Sequence, residues 1–292
     1  MKVLVTGATG QLGRALLESI PESIQARGVD RAQCDLADPD QCHALVVAER
    51  PDLIINAGAY TQVDKAETER DLAFRINAQA PAALADGLAR TGGRLIQVST
   101  DFVFDGRLGV PYAPNATSNP LNVYGASKRA GEQAVLQQLN ERAVVLRTAW
   151  VYSRHGSNFV KTMLRLMSSR DAVSVVSDQI GAPTWATSLA SAVWSVAFRP
   201  SVSGVLHWTD AGVASWYDFA MAIQEEALAR GMLGKAVPVL PIAAEEYARR
   251  YPASVPRPAF SVLDVRATYG LLDVAPLHWR IQLRAMLDEL KS

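Results

Sequence analysis

The amino-acid sequence predicts an α/β fold: a Rossmann-like, doubly wound parallel sheet with a smaller C-terminal α/β lobe that binds substrate. Three observations predict this fold. Short, wholly apolar runs are typical of strands buried on both faces, helical patterns separate these runs, and a glycine-rich turn follows the first run. The length of 292 residues suits one large domain or two ordinary ones.

The first strand and helix show the pattern that later segments repeat. Residues 3–5 are apolar and lead into Gly7, and the segment 11–20 has apolar residues at helical spacing until Pro21 ends it. Further strands are predicted at 24–29, where polar residues weaken the pattern, and at 53–55, 94–98 and 143–146. Further helices are predicted at 39–50, 65–90 and 121–139, and Pro81 is expected to kink or divide the long one.

The alternation of strand and helix loosens after Trp150, and this change predicts the domain organisation. Proline, glycine and serine become frequent around 177–184, 199–204 and 252–261. We therefore expect a dinucleotide-binding domain over 1–150, completed by about 185–200, and a mainly substrate-binding lobe over 151–292. This lobe is expected to lie over the carboxyl edge of the sheet, where open α/β sheets bind ligands.

Composition excludes several classes of protein. Hydrophobic residues make up 49% of the chain, and 29 basic residues balance 29 acidic ones, so nothing draws it to nucleic acid or to an anionic membrane. The two cysteines, Cys34 and Cys42, exclude a disulfide framework, and their spacing is not that of a metal site. Without a secretory signal pattern or an apolar run of about 18 residues, the sequence indicates a soluble cytoplasmic protein.

The turn after the first strand has the spacing of a dinucleotide-binding loop. Gly7, Gly10 and Gly13 form G-x-x-G-x-x-G between a predicted strand and helix. The first glycine permits a tight turn, the second lets the backbone approach a pyrophosphate, and the third lets the helix pack on the strand. The amino end of the helix faces the anion.

The end of the second strand bears on the choice of cofactor. Asp30 is placed to accept hydrogen bonds from the adenosine ribose and would repel a 2′-phosphate, whereas Arg31 could pair with that phosphate. The two residues point to different cofactors, so NADPH and NADH both stay open. Asp35 and Leu36 are placed to border the adenine, although an ordinary approach to the next helix explains them equally well.

A tyrosine and a lysine four residues apart form the candidate catalytic pair. Tyr124 and Lys128 lie one turn apart on one helix face, where an ammonium group would lower the pKa of the phenol. The phenol could then give a proton to a carbonyl oxygen as a hydride arrives at carbon. Thr100, at the carboxyl end of the fourth strand, has a hydroxyl that can hold and polarise that carbonyl. Small residues after the third strand, 57–59, would lie against the cofactor.

These motifs resemble the extended short-chain dehydrogenase/reductase family, whose glycine motif, N-A-A/G-A turn, Ser/Thr after strand four and Y-x-x-x-K occur here in the same order. Longer strings resemble the reductases of that family that act on 4-keto sugars carried by a nucleotide. These strings are 10–13, 59–61 with 63–67, 99–101 with 103–104, 120–125, 147–148 with 150–152, 158–159, 178–179 with 181–184, and 257–258. The resemblance implies hydride transfer from NADPH, with NADH possible, to the C4 ketone of a nucleotide-linked deoxysugar.

The resemblance also implies roles for individual residues. Tyr124 is the proton donor, Lys128 lowers its pKa and holds the nicotinamide ribose, and Thr100 binds the keto oxygen beside Asp101. The residues then expected to bind cofactor are Gly7, Gly10, Gln11, Leu12, Asp30, Arg31, Asp35, Leu36, Ala57, Gly58, Ala59, Tyr60, Tyr124 and Lys128.

Three further residues would line the sugar-nucleotide site: Trp150, Asn158 and Arg257, the last facing the pyrophosphate. Trp150 and Arg257 each have a simpler interpretation, because a tryptophan often packs in a core and an arginine often lies on the surface. Asp64 and Glu67 are interpreted as helix N-terminal residues rather than catalytic groups.

The sequence departs from the family pattern at positions that bear on substrate and assembly. Phe102 stands where family members commonly have tyrosine. Some members associate through a metal held by carboxylates, but Ala15 and Thr187 occupy the corresponding places, so no metal-bridged dimer is expected. Two other functions stay open: dehydratase or epimerase chemistry on another nucleotide sugar, and a non-catalytic regulatory subunit. The retained tyrosine, lysine and threonine argue against the second.

Overall fold

A six-stranded parallel sheet lies at the centre of the computed structural model, which describes residues 1–291. The strands are β1 (Lys2–Thr6), β2 (Gln25–Val29), β3 (Leu53–Asn56), β4 (Arg94–Thr100), β5 (Ala143–Thr148), β6 (Val151–Tyr152), β7 (Val173–Val176), β8 (Ile180–Gly181), β9 (Thr184–Trp185), β10 (Gly204–His207), β11 (Ala214–Ser215) and β12 (Val239–Ile242). The sheet order is β10-β5-β4-β3-β1-β2, with every pair parallel. The direction of strand order reverses at β1, so the ligand crevice lies at the carboxyl ends of β1 and β3.

Helices cover both faces of this sheet. They are α1 (Gln11–Glu18), α2 (Pro39–Glu49), α3 (Arg70–Phe74), α4 (Ala80–Thr91), α5 (Val123–Leu139), α6 (Phe159–Ser169), α7 (Ala186–Ala197), α8 (Trp216–Ala229), α9 (Ala244–Arg250), α10 (Arg266–Leu272) and α11 (Trp279–Lys291). Helices α1 and α7 pack together on one face, and α2, α4 and α5 form a layer on the other. Val3 and Val5 enter the core with α1 and α7, whereas Leu4 enters the other core. Because successive side chains of a strand point to opposite faces, a wholly apolar run suits a strand covered on both sides. The predicted fold class is confirmed.

The long helix predicted over 65–90 is divided into several pieces. A 3₁₀ turn (Lys65–Glu67) is followed by α3, by a π-helical turn (Arg75–Gln79) and by α4. Pro81 lies in the first turn of α4, where its missing N–H leaves no helical hydrogen bond unmade. The division therefore falls just before the proline, and the proline belongs to the start of the new helix.

The second half of the chain contributes to both layers of the molecule. Strand β10 pairs with β5 and completes the central sheet, while α7 covers α1. The remaining strands form two-stranded sheets, β7 with β12, β8 with β11 and β6 with β9. A separate core, in which Phe219 is fully buried, joins these to α6, α8 and α11. Within residues 1–291, no helix combines the length and apolar character that a bilayer crossing requires.

Candidate active site

The turn after β1 has the geometry of an anion cradle. Gly7 adopts the left-handed conformation (φ +68°), and a Cβ there would lie 2.5 Å from the Cα of Gly58. A Cβ on Gly13 would lie 2.1 Å from the carbonyl oxygen of Gly7. No side chain caps the amino end of α1, where Gly10 is the first flanking residue. The uncapped N–H groups are therefore free to bind a phosphate, as the sequence predicts.

A cavity of about 650 Å³ opens beside this turn at the carboxyl edge of the sheet. It collects the glycine turn, the ends of β3, β4 and β5, and the start of α5. The sequence-predicted residues that it brings together are Gly7, Gly10, Gln11, Leu12, Ala57, Gly58, Ala59, Thr100, Asp101, Tyr124, Lys128 and Trp150. Gly156 and Ser157 also line its wall, carry no sequence motif and were not predicted, and Thr148 lies in a family-like string but was not assigned to the site.

The three candidate catalytic side chains converge in this cavity. Thr100 is the last residue of β4 and Tyr124 lies in the first turn of α5, and both side chains line the cavity. Lys128, one turn further along α5, donates from Nζ to the carbonyl oxygen of Val98 at 2.7 Å. The ring of Phe102 packs edge-on against Tyr124, with centroids 5.7 Å apart. Helical spacing and the strand end together produce this arrangement.

Burial changes the pKa values of the catalytic pair in opposite directions. It raises the pKa of the Tyr124 phenol to about 12 and lowers that of the Lys128 ammonium to about 8. The expected lowering of the Tyr124 pKa by Lys128 is therefore wrong for the chain without ligands, because desolvation of the phenolate dominates. The phenol is protonated at neutral pH, as a proton donor must be.

Several buried polar atoms at the cavity wall have no hydrogen-bond partner within residues 1–291. The hydroxyl of Thr100 donates to Oδ1 of Asp101 at 3.0 Å, while Oδ2 of that carboxylate has no hydrogen-bond partner within residues 1–291. The same holds, over those residues, for Oγ of Ser99 and Oγ1 of Thr148. Burial raises the pKa of Asp101 to about 6. Because buried polar groups are normally satisfied, these atoms indicate a polar ligand in the cavity.

The residues predicted at the adenosine end lie outside the wall of this cavity. Oδ1 of Asp30 accepts the backbone N–H groups of Ala32 and Gln33, both at 3.0 Å. Arg31 is exposed and pairs with Asp35, with Nε 3.2 Å from Oδ2. Leu36 lies against Gly58, where a Cβ would approach its Cδ1 to 2.4 Å. The Asp30 carboxylate is thus occupied by its own turn, and Arg31, although paired with Asp35, is an exposed cation beside it.

A second cavity, of about 450 Å³, lies in the C-terminal lobe. Its wall contains four aromatic residues and three arginines: Phe159, Trp216, Tyr247, Tyr251, Arg170, Arg250 and Arg257. The indole of Trp150, from the first cavity, stacks on that of Trp216, with centroids 3.5 Å apart and planes 8° from parallel. Trp150 therefore touches the side chain that borders the second cavity. Arg257 pairs with Asp64 through Nη2, which lies 2.9 Å from each carboxylate oxygen.

Two predicted residues have structural contacts instead of a place in either cavity wall. Asn158 caps α6, and its amide donates to Oε1 of Gln11 at 2.9 Å. The hydroxyl of Tyr60 donates to Oε2 of Glu69 at 2.7 Å. Asn158 thus joins the substrate lobe to a cofactor-side residue, and its contact with substrate stays a prediction.

The doubly wound sheet, the glycine cradle and the Thr-Tyr-Lys set at the carboxyl edge define the class of protein: a nicotinamide-dinucleotide-dependent oxidoreductase. Residues 1–292 match the model of a protein family that is described as "RmlD substrate binding domain". The chain belongs to this family.

Named relatives are similar to this chain over almost its whole length. It is 37% identical to the dTDP-4-dehydrorhamnose reductase of Aggregatibacter actinomycetemcomitans, over 97% of each protein. The structure resembles the crystal structure of the Bacillus anthracis dTDP-4-dehydrorhamnose reductase in complex with NADP, with a TM-score of 0.90, 36% identity and 99% of each chain covered. The Clostridium acetobutylicum dTDP-4-dehydrorhamnose reductase matches with a TM-score of 0.91 and 35% identity over 100% of each chain.

Proposed function

We propose that this protein reduces the C4 ketone of dTDP-4-dehydro-6-deoxy-L-mannose to give dTDP-L-rhamnose, with NADPH as cofactor and NADH as a possible substitute. The observation that carries the proposal is the convergence of Thr100, Tyr124 and Lys128 in one cavity beside a glycine cradle. The relatives named dTDP-4-dehydrorhamnose reductase, which are similar to this chain over nearly its whole length, support the same substrate.

The residues of the first cavity suit a nicotinamide dinucleotide. The cradle that a Cβ would fill, together with the uncapped end of α1, would hold the pyrophosphate. Lys128 would hold the nicotinamide ribose, and the small residues 57–59 would lie against the cofactor. When bound, the reduced nicotinamide supplies a hydride to the ketone carbon. Arg31, exposed beside the occupied Asp30 carboxylate, favours a 2′-phosphate and hence NADPH.

Three side chains of the protein stabilise the negative charge that develops on the ketone oxygen. The phenol of Tyr124 donates its proton there, and its raised pKa keeps that proton available at neutral pH. The Thr100 hydroxyl, which donates to Asp101 in the free chain, turns to the same oxygen. The Lys128 ammonium stabilises the phenolate that remains.

The sugar nucleotide extends from the first cavity toward the second. Trp150 would contact the sugar, and the aromatic wall beyond Trp216 suits the face of a pyrimidine base. Arg257 uses Nη2 for Asp64 and Nη1 for the carbonyl of Val255 at 3.3 Å. Its Nε–H and a second Nη1–H remain for the pyrophosphate. Residues 1–150 would then serve mainly the cofactor, and 151–292 mainly the substrate.

The assembly proposed for the molecule contains no metal bridge between subunits. Ala15 is 4% exposed and packs in the core beside α7, so it presents no ligand to a cation. Thr187, on α7, also lacks a carboxylate.

The loss of NADPH absorbance, with the 4-keto sugar nucleotide generated in situ, tests the function. A reductase consumes one NADPH for each ketone, whereas an epimerase or dehydratase returns the hydride and consumes none. We expect stoichiometric consumption and a dTDP-L-rhamnose product. Product without net NADPH loss, or no product, contradicts the proposal.

Tyr124→Phe tests the proton donor within that function. We expect kcat to fall by about 10²- to 10⁴-fold, the usual contribution of a positioned acid, while NADPH affinity changes little. The measurements are steady-state kinetics and fluorescence titration of NADPH. A variant that keeps more than about a tenth of the wild-type kcat excludes Tyr124 as the acid.

A further inference from the structure

A buried ion pair lies one helical turn beyond Lys128 on the inner face of α5. Glu132 is 2% exposed and Arg147, on β5, is 4% exposed. Nε of Arg147 lies 2.9 Å from Oε1 of Glu132, and Nη2 lies 2.7 Å from Oε2. Neither side chain belongs to the wall of either cavity. Because desolvation makes a buried pair a poor source of stability, its place next to the catalytic lysine calls for another explanation.

Contacts on every side fix the guanidinium of Arg147. Nη1 donates to the carbonyl of Pro114 at 3.1 Å, in the segment that leads into α5, and the Phe104 ring lies 5.1 Å below. The His207 ring is 3.4 Å from Nη1, and burial together with Arg147 lowers its pKa to about 3, so it is neutral. The guanidinium therefore holds the Glu132 carboxylate in one place through two charge-assisted hydrogen bonds.

Lys128 is a buried cation that needs a compensating charge. It is 4% exposed, and its Nζ donates a hydrogen bond to the neutral carbonyl group of Val98. Glu132 lies four residues further along the same helix face, and its negative charge opposes the effect of burial on the lysine. Two other ionisable groups, Tyr124 and Asp101, line the same cavity as the lysine.

The remaining charges on elements packed against α5 lie at exposed or half-exposed positions. They are Lys65, Glu67, Arg70, Asp71, Arg75, Asp86, Arg90, Arg94, Glu141 and Arg142. Water screens charges in such positions, so the buried Glu132 carboxylate has the strongest influence on the lysine.

We propose that Glu132, held by Arg147, is a positioning residue that keeps Lys128 charged inside the active site. The catalytic consequence rests on the proposed reductase function, whereas the charge on Lys128 is a property of the free protein. The pair acts through Lys128 and touches neither substrate nor cofactor.

Substitution of the two partners has distinguishable electrostatic consequences. Glu132→Gln removes the negative charge and leaves the Arg147 cation, so Lys128 should lose its proton at lower pH. Arg147→Met leaves the carboxylate with Lys128 as its nearest cation, so Lys128 should keep its proton to higher pH. In the double variant both charges are gone, and the lysine should titrate between the two single variants.

NMR titration of the free protein with ¹³C-labelled lysine reads the charge on Lys128 directly. The chain has six lysines, and the Lys128 signal is assigned by its absence from Lys128→Met. We expect the Lys128 midpoint to fall by about one pH unit in Glu132→Gln. The alkaline limb of kcat should fall with it, because the reaction needs the charged lysine.

The order of midpoints separates this role from a purely structural one. The proposal predicts that the Lys128 titration midpoint is lowest in Glu132→Gln, higher in the double variant and highest in Arg147→Met. An unchanged midpoint in Glu132→Gln, or the same downward shift in all three variants, overturns it. Where Glu132→Gln does not fold, the double variant and Arg147→Met still give an order: a midpoint in Arg147→Met at or below that of the double variant overturns the proposal. If the wild type shows no reductase activity, the proposed function fails, while the titration still decides the inference.

Discussion

Gly13 shows at the scale of one residue how little room the cofactor cradle leaves. Any Cβ there would lie 2.1 Å from the carbonyl oxygen of Gly7 and 2.8 Å from the Cα of Ala8, and both are backbone atoms. Backbone cannot rotate away as a flexible side chain can, so α1 must move as a unit. The N–H groups at its amino end would then no longer face the pyrophosphate.

Gly13→Ala should therefore weaken NADPH binding by about tenfold or more, equivalent to about 1.4 kcal/mol. Fluorescence titration of NADPH measures the affinity, and thermal unfolding shows whether the variant is folded. Gly234→Ala is the matched control, because a Cβ there meets nothing within 4 Å and the residue lies outside both cavities. Equal affinities of the folded Gly13 variant and the control would refute the cradle.

At the scale of single residues, the sequence predicted only some of the residues that form the site. The motifs containing Thr100, Tyr124 and Lys128 predicted groups that the structure brings together, because helix spacing and strand ends determine where such residues lie. Glu132 and Arg147 were missed, although an arginine inside the otherwise apolar strand 143–148 is a signal of a buried partner. The identity of that partner depends on tertiary packing, which no local pattern encodes.

Helix α5 is held at its amino end by three different segments. Oδ1 of Asn122 accepts the N–H of Gly125 at 2.9 Å, and Oε1 of Glu67 accepts the N–H of Val123 at 2.8 Å. Nδ2 of Asn122 donates to the carbonyl of Pro256 at 3.0 Å. The end of the helix that carries Tyr124 is thus tied to the substrate lobe through one asparagine.

Two substitutions at Asn122 separate these contributions. Asn122→Ala loses the cap, at about 1 kcal/mol of unfolding free energy, and also the link to Pro256. Asn122→Asp keeps the capping oxygen and loses only the link. We expect both to raise KM for the sugar nucleotide, and only the alanine variant to lower the denaturation midpoint clearly. A normal KM in the aspartate variant would show that the link does not matter for substrate.

Elements differed in how far the sequence could predict them. The strands of the central sheet followed from their apolar runs, since burial on both faces leaves few other residue types. The segment 65–90 did not, because a 3₁₀ turn at Lys65–Glu67 and a π-helical turn at Arg75–Gln79 interrupt the regular α-helix, and the spacing of apolar residues does not reveal such turns. Strand β10 was missed because only Val205 and Leu206 are apolar between Gly204 and His207, which is too short a run to indicate a buried strand.

The whole molecule contains buried carboxyl groups that make its stability depend on pH. Asp210 is 1% exposed, accepts the N–H of Trp185 at 2.8 Å and bonds Ser188 at the start of α7. Burial raises its pKa to about 7 from an ordinary 3.8. Between those values the folded state binds the proton that the unfolded state has lost, so stability decreases as pH rises through this window.

Asp210→Asn should remove this part of the pH dependence. The wild type should lose up to about 1.4 kcal/mol of unfolding free energy per pH unit from this carboxyl between pH about 4 and 7, and the variant should lose less. Denaturant unfolding at several pH values measures the slope. Asp105→Asn is the control. Hydrogen bonds, chiefly the one from Asn119, lower the pKa of Asp105, so the effect of Asp105 on stability falls at pH values below this window. Equal slopes in the wild type and Asp210→Asn would contradict the assignment.

The position of β10 beside β5 has a consequence for synthesis on the ribosome. The first five strands of the sheet are complete when residue 148 has emerged, but β5 keeps an unpaired edge until residues 204–207 follow. Over that interval the nascent chain exposes a row of free backbone groups, flanked by the apolar side chains that α7 later covers. A fragment that ends near residue 150 would keep this open edge permanently and would be prone to aggregate.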